Sequence, residues 1–181
     1  MSELLRCSRC VLPETHETIT YDTLGVCSVC RNSELKESID WDARLRDLNL
    51  IADQNRGKHD YDCIVPFSGG KDSVWTLYYV VNELKLKPLV VSFDHGFYRP
   101  NLIKNREKIL KLLGVDSLIF TPNWKLVQKL MLQSFLEKGD FCWHCHTGIF
   151  CYPMWIAIEK KIPLIFWGEP SSEYTSYYDY S

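Results

Sequence analysis

Residues 62–73 read Asp62-Cys63-Ile64-Val65-Pro66-Phe67-Ser68-Gly69-Gly70-Lys71-Asp72-Ser73, and an amphipathic stretch follows directly. The apolar run Asp62–Phe67, centred on Ile64 and Val65, predicts a short buried strand. Ser73–Leu84 predicts a helix, with Leu77, Tyr78, Val81 and Leu84 on one side. Between them the paired glycines let the backbone turn sharply and approach a ligand closely. The first N–H groups of the helix lack intrahelical partners and sit at the positive end of its dipole. Ser68 and Ser73 add hydroxyl donors and Lys71 adds a charge. A strand, a glycine turn and a helix start in that order make an anion site.

The pattern continues downstream. Pro88–Asp94 is a near-continuous apolar strand, and Asn101–Leu113 carries Leu102, Ile109, Leu110 and Leu113 on one face until Gly114 stops it. Ser117–Thr121 predicts a third strand, Trp124–Leu136 a helix, Tyr152–Lys160 the close of another helix, and Pro163–Trp167 a fourth strand. Strands separated by helical crossovers predict an α/β fold with a doubly wound parallel sheet. Ligands of such sheets sit at the carboxyl ends of the strands. There the chain places Ser68-Gly69-Gly70, Asp94-His95-Gly96, Thr121-Pro122-Asn123 and Gly168-Glu169-Pro170. His95 is suited to touching a nucleotide or to capping its own loop, and Glu169 to magnesium, to substrate or to plain solvation. Trp75, Trp124, Trp155 and Trp167 fall at helix or strand spacing and are expected in the core, as is Cys63.

Ahead of this domain the composition changes. Cys7-x2-Cys10 and Cys27-x2-Cys30 are separated by sixteen residues, a zinc spacing in which each pair offers two thiolates to one tetrahedral ion. Four protein ligands close such a site, so its role is structural. A segment this poor in aliphatic residues needs the staple in order to fold. Iron fits the same four-sulfur geometry. Trp41, Leu45, Leu48 and Ala52 then predict a linking helix over 41–55, with Asp40 as N-cap and Gly57 as stop. The expected organisation is a four-cysteine module over 1–38, a linker over 39–60, and a nucleotide domain over 61–181.

A second dense set, Cys142-Trp143-His144-Cys145-His146 with Cys151 beyond, leaves three alternatives. Cys142 and Cys145 are a metal or iron–sulfur site, a redox or catalytic pair, or thiols packed as small hydrophobes.

Bulk composition narrows the function classes. With 46% hydrophobic residues over 181 positions the chain has material for a packed core, and a net charge of −2 gives no electrostatic footprint for nucleic acid. No apolar stretch has the length of a membrane span, and Met1–Arg9 lacks the apolar core of a signal peptide, so the cytoplasm is the expected compartment. Eight cysteines in that compartment read as ligands or chemistry before disulfides.

The hexapeptide Ser68–Ser73 departs from the Walker pattern and resembles the PP-loop of N-type ATP pyrophosphatases. That resemblance implies a fold of the adenine nucleotide alpha hydrolase-like type. It implies a loop that holds the β- and γ-phosphates of ATP and leaves the α-phosphate open to attack. It assigns nucleotide binding to Ser68, Gly69, Gly70, Lys71, Asp72 and Ser73, and Asp94, His95 and Glu169 join these candidates from their places at the strand ends. Lys71 and Asp72 take the catalytic roles, Asp72 placing magnesium or the loop itself. Over nearly the whole chain, RCSRCVLPET, ITYDTLGVCSVCR, VPFSGGKDS, GDFCWHCHTGIF and IPLIFWGEP together resemble the N-acetyl sugar amidotransferases of bacterial lipopolysaccharide O-antigen and flagellin-glycan biosynthesis. The implied reaction turns the acetamido group of a nucleotide-linked sugar into an acetamidino group. ATP adenylates the amide oxygen and ammonia displaces AMP. The implied partners are a glutaminase subunit and a barrel-shaped, cyclase-like subunit that supply the ammonia. Members of that family run beyond residue 181, which implies a nucleotide domain incomplete at its C-terminus. The alternatives are a tRNA sulfur-transfer enzyme of the same superfamily and a zinc-binding interaction module with a vestigial nucleotide site.

Overall fold

The computed structural model describes residues 4–15 and 18–168, which fall into two compact units, 4–47 and 48–168. The expected ligand Glu169 lies outside the described residues.

The first unit is built around its cysteines. Cys7 and Leu12 close a tight knuckle, with Cys7 N–H donating to the Leu12 carbonyl at 2.9 Å and Val11 N–H to the Cys7 carbonyl at 3.0 Å. Asp22 shapes the second turn, its carboxylate accepting from Leu24 N–H at 2.8 Å and Val26 N–H at 3.0 Å. Helix α1 (Ser28–Glu37) starts on Cys27, a helix that the sequence reading did not anticipate. The core is small: Cys7, Ile19 and Cys27 are buried, with Leu12, Tyr21, Val26 and Val29 packed around them. Helix α2 (Trp41–Asn55) follows as expected, and Asp40 caps it through Ala43 N–H at 2.8 Å.

The second unit is mixed α/β. Strands β1 (Cys63–Pro66), β2 (Pro88–Phe93) and β3 (Asp116–Phe120) form a parallel sheet in the order β1-β2-β3. Helices α3 (Lys71–Asn82), α4 (Pro100–Leu113), α5 (Trp124–Lys138) and α6 (Trp143–Lys160) connect and cover them. Alternation along the strands sends side chains to two cores. Cys63, Val65, Phe67 and Val90 pack with Leu77, Val80 and Leu84 of the α3 segment, with Leu48 and Ala52 of α2, and with Ile109, Leu110 and Leu113 of α4. Ile64, Leu89 and Val91 face the other way, onto Tyr152, Ile156, Ala157 and Ile162. Helices therefore lie on both faces of the sheet.

Three expectations are corrected. The fourth strand contracts to one parallel bridge, Ile64 to Ile165, in which Ile64 N–H donates to Leu164 and Phe166 N–H to Ile64, both at 2.9 Å. The inward face of α3 is Ser73, Leu77 and Val80, while Tyr78 is exposed. Helix α6 ends at Lys160 as expected; it begins at Trp143 and carries Pro153 in its interior. Trp75, Trp124 and Trp155 are exposed rather than core, and Trp167 is half-buried against Phe150. Strand β3 is an edge whose side chains, Leu118 apart, are exposed.

Because the segment around Ile165 lies on one side of β1 and β2 on the other, chain direction across the sheet reverses at β1. A crevice opens at such a point beyond the strand's carboxyl end. The Ser68–Ser73 loop begins there.

Candidate functional site: a glycine loop and a four-thiol cluster

The loop leaves β1 through Phe67 and turns at Gly69, whose φ of 82° is left-handed. Helix α3 starts immediately, with Val74 N–H donating to the Gly70 carbonyl at 3.0 Å. The amides of Lys71, Asp72 and Ser73 precede that first helical bond and carry the positive end of the dipole. The two glycine amides are used differently from the expectation. Gly69 N–H donates to Ser73 Oγ at 3.2 Å and Gly70 N–H to Ser68 Oγ at 3.2 Å. Ser73 Oγ also reaches the Gly70 carbonyl at 3.1 Å and Ser68 Oγ at 3.1 Å. Each hydroxyl has one proton. With Ser73 donating to Gly70, Ser68 donates to Ser73, and both serines staple the loop. The donors left for an anion are the helix-start amides and Lys71, whose side chain is 90% exposed and lies 3.5 Å from Asp72 Oδ1. So exposed a pair adds little stability and leaves Lys71 free to move.

Two further elements meet the loop. Gly168 passes so close to α3 that a β-carbon there would stand 3.1 Å from both Ser73 N and Ser73 Cα. Arg106 of α4 is 5% exposed, and its Cγ would stand 2.2 Å from a β-carbon at Gly69. Nothing in the sequence reading singled out Arg106. A signal existed: Leu102, Arg106, Ile109 and Leu113 share the inward stripe of α4 at spacings of four, three and four.

Beside the loop, the tail of β2 is occupied with its own turn. Asp94 accepts from Gly96 N–H at 2.9 Å and from the Thr121 hydroxyl at 3.3 Å, and His95 Nδ1 accepts from Phe97 N–H at 3.1 Å. The His95 ring lies 4.2 Å from Tyr98. Burial lowers the His95 pKa; Asp94 opposes the shift, and His144 and Arg106 reinforce it. His144 is buried with neither ring nitrogen hydrogen-bonded. Of the dense second cysteine set, Cys142 precedes α6, and Cys145 lies in its first turn. Burial, then Cys142 and Asp140, push the Cys145 thiol up, away from the thiolate that redox or nucleophilic work requires. Among the described residues, Cys142 and Cys145 join no group of three or more ligands. A cleft lined by Tyr61, Lys85, Lys87 and Asp116 lies at the opposite, amino-terminal edge of the sheet and holds none of the motif residues.

In the first unit, Cys7, Cys10, Cys27 and Cys30 converge so that their sulfurs all lie within 4.8 Å of one another. Cys7 and Cys30 sulfurs are 4.0 Å apart, Cys10 and Cys27 3.6 Å. A disulfide requires about 2.05 Å. Four thiolates bound at the zinc–sulfur length of 2.3 Å form a tetrahedron with edges of about 3.8 Å. The donor set fits a metal such as zinc. Arg9 N–H at 3.4 Å and Cys27 N–H at 3.3 Å both point at Cys7 Sγ. Burial raises the Cys7 pKa, but the backbone donors at Cys10, Cys27 and Arg9 outweigh it and bring the thiol to about 6. Burial and the other three thiols push Cys30 up to about 12, the response of the last thiol in a cluster that holds negative charge without a cation. A bound dication removes that penalty. Arg31 braces the surround, bonded to Glu34 and Asp22.

No known family profile matches the chain. The uncharacterized protein MJ1599 of Methanocaldococcus jannaschii is 29% identical over 122 residues, which are 66% of this chain and 44% of the relative. This chain thus spans under half the length of that relative.

Among the described residues no helix is long and apolar enough to cross a membrane.

Proposed function

We propose that this chain carries the ATP site of an amidotransferase. In this proposal the enzyme adenylates the acetamido oxygen of a nucleotide-linked sugar and replaces it with ammonia-derived nitrogen. The observation that carries the proposal is the Ser68–Ser73 loop: a serine-stapled, glycine-bent strand-to-helix turn at the point where the sheet's connections reverse. Helix-start amides and Lys71 are its unspent donors.

In this proposal the roles are as follows. The amides of Lys71, Asp72 and Ser73 and the Lys71 ammonium bind the terminal phosphates as one leaving group. Ser68 and Ser73 keep the loop in shape. Asp72, exposed beside Lys71, is the residue we assign to magnesium. The amide oxygen attacks the α-phosphorus and pyrophosphate leaves. Ammonia adds to the adenylated carbon, AMP carries away the oxygen, and a proton is released to give the amidine. Adenylation turns a poor leaving group into a good one. The glutaminase and cyclase-like partners belong to this proposal, since ammonia channelled between subunits stays unprotonated and out of water. Zinc is the ion we assign to Cys7, Cys10, Cys27 and Cys30. With four protein ligands it supplies fold rather than chemistry.

The tRNA sulfur-transfer alternative draws less support, because among the described residues Cys142 and Cys145 form no cluster with further ligands and burial pushes the Cys145 thiol up. Mass spectrometry of candidate UDP-sugars, incubated with the protein, ATP, magnesium and an ammonium salt, tests the proposal. Replacement of oxygen by NH lowers the sugar's mass by about one unit, because the adenylated oxygen is what leaves. Sugars of unchanged mass contradict it, and thiolated tRNA formed in a parallel incubation with tRNA and a sulfur donor would favour the alternative.

A further inference from the structure

We infer that Arg106 is a positioning residue for the nucleotide's phosphates, a buried positive charge set behind the Gly69 turn whose counter-charge is the bound polyphosphate. The inference rests on the ATP site proposed above and goes beyond it by assigning a cation that lies outside the Ser68–Ser73 motif.

Three observations carry it. Arg106 is 5% exposed although nothing acidic pairs with it among the described residues, and its Nη2 is sealed from solvent with no hydrogen-bond partner among them. A buried charge without a partner destabilises a fold, so one that is retained calls for an explanation. The guanidinium carbon lies 4.6 Å from the centre of the Tyr98 ring, a contact that orients the charge without neutralising it. Asp94, the acid in the same cluster, has one oxygen on Gly96 N–H and the other on the Thr121 hydroxyl.

The second observation is place. The Arg106 stem crosses Gly69 so closely that a β-carbon there would stand 2.2 Å from its Cγ and 2.9 Å from its Cδ. The loop that faces the ligand is therefore backed by a cation in a region shielded from water, where charges act over longer distances than at a surface. The third is sign. Around the cation stand the Tyr98 phenol, His95, whose proton affinity is lowered first by burial and then by His144 and Arg106, and Asp94, which opposes that shift. Asp94 is the acid among them, but its two oxygens are taken by Gly96 N–H and the Thr121 hydroxyl and it makes no ion pair with Arg106 among the described residues, so a polyanion on the loop supplies the direct counter-charge. A guanidinium kept only for packing would not need to be charged.

Calorimetric titration of the zinc-loaded protein with inorganic pyrophosphate, and separately with ATP, tests this on the wild type, Arg106→Met and Arg106→Lys. Arg106→Met keeps an unbranched stem and removes the charge. We expect it to melt at or above the wild-type temperature while its pyrophosphate affinity falls about tenfold or more, and Arg106→Lys to recover most of that loss. Wild-type affinity in Arg106→Met overturns the inference and leaves the ATP site standing. A lower melting temperature in Arg106→Met, with Arg106→Lys binding as weakly as Arg106→Met, assigns Arg106 to packing and overturns it too. A wild type that binds neither pyrophosphate nor ATP sinks the nucleotide proposal and this inference together.

Discussion

Replacing Gly69 by alanine puts one methyl group at the tightest point of the loop, and the cost divides into two parts. The first is conformational. Gly69 has φ of 82°, and a side chain in the left-handed region costs about 1–2 kcal/mol. The second is collision. The new methyl would stand 2.2 Å from Arg106 Cγ and 2.9 Å from Cδ. These atoms belong to the buried stem and not to a flexible tip, so the whole side chain must shift. Overpacking of this kind costs about 1–3 kcal/mol. Gly69→Ala should therefore lose about 2–5 kcal/mol, and in an Arg106→Ala background only the backbone part, about 1–2 kcal/mol, should remain. Urea denaturation followed by circular dichroism on the wild type, both single variants and the double variant measures the coupling. An equal cost of Gly69→Ala in both backgrounds would refute the packing of Arg106 against the loop.

Three other outcomes follow from the same structure. Cys27→Ser, at a fully buried sulfur of the four-thiol cluster, should abolish the bound zinc, about one ion per chain by elemental analysis, and unfold residues 4–47; retained zinc would count against the site. Leu77→Ala should cost about 2–5 kcal/mol and Tyr78→Ala about 1 kcal/mol or less, because Leu77 is buried and Tyr78 is exposed on the same helix; equal losses would refute the orientation of α3. The pKa of His95 is lowered in the fold from its ordinary 6.5, so the unfolded chain takes up the proton first. Its contribution to stability is present above pH 6.5 and is lost as pH falls through the folded value, and His95→Asn should flatten that part of the stability curve.

What was legible in the sequence was what is local. The Asp62–Ser73 stretch spells a buried strand, a glycine turn and a helix start within twelve residues, and the structure builds all three. The four cysteines announce their cluster through spacing alone. Misreadings arose where tertiary context decides. Along α3 and the turn after it, Leu77, Val81 and Leu84 reach the core as their spacing predicts, but Val80 is buried and Tyr78 exposed, a difference that only packing under the sheet decides. The first half of α6, Trp143–Cys151, has no apolar period, contains Gly148 and leads into Pro153, so its helicity is hidden. Pro163–Trp167 has the composition of a strand, but a strand needs a partner along its length and this one finds β1 at Ile165 alone. Arg106 was passed over because a lone arginine reads as surface, although it stands in the stripe of Leu102, Ile109 and Leu113 that the spacing itself marks on α4.

The central claim is that Ser68–Ser73 holds the terminal phosphates of ATP as a leaving group. Its most direct test is the product ratio when the protein is given ATP, magnesium, the sugar nucleotide and an ammonium salt. The account predicts AMP and pyrophosphate in equal amounts, formed only when the sugar nucleotide is present. ADP with inorganic phosphate would contradict it.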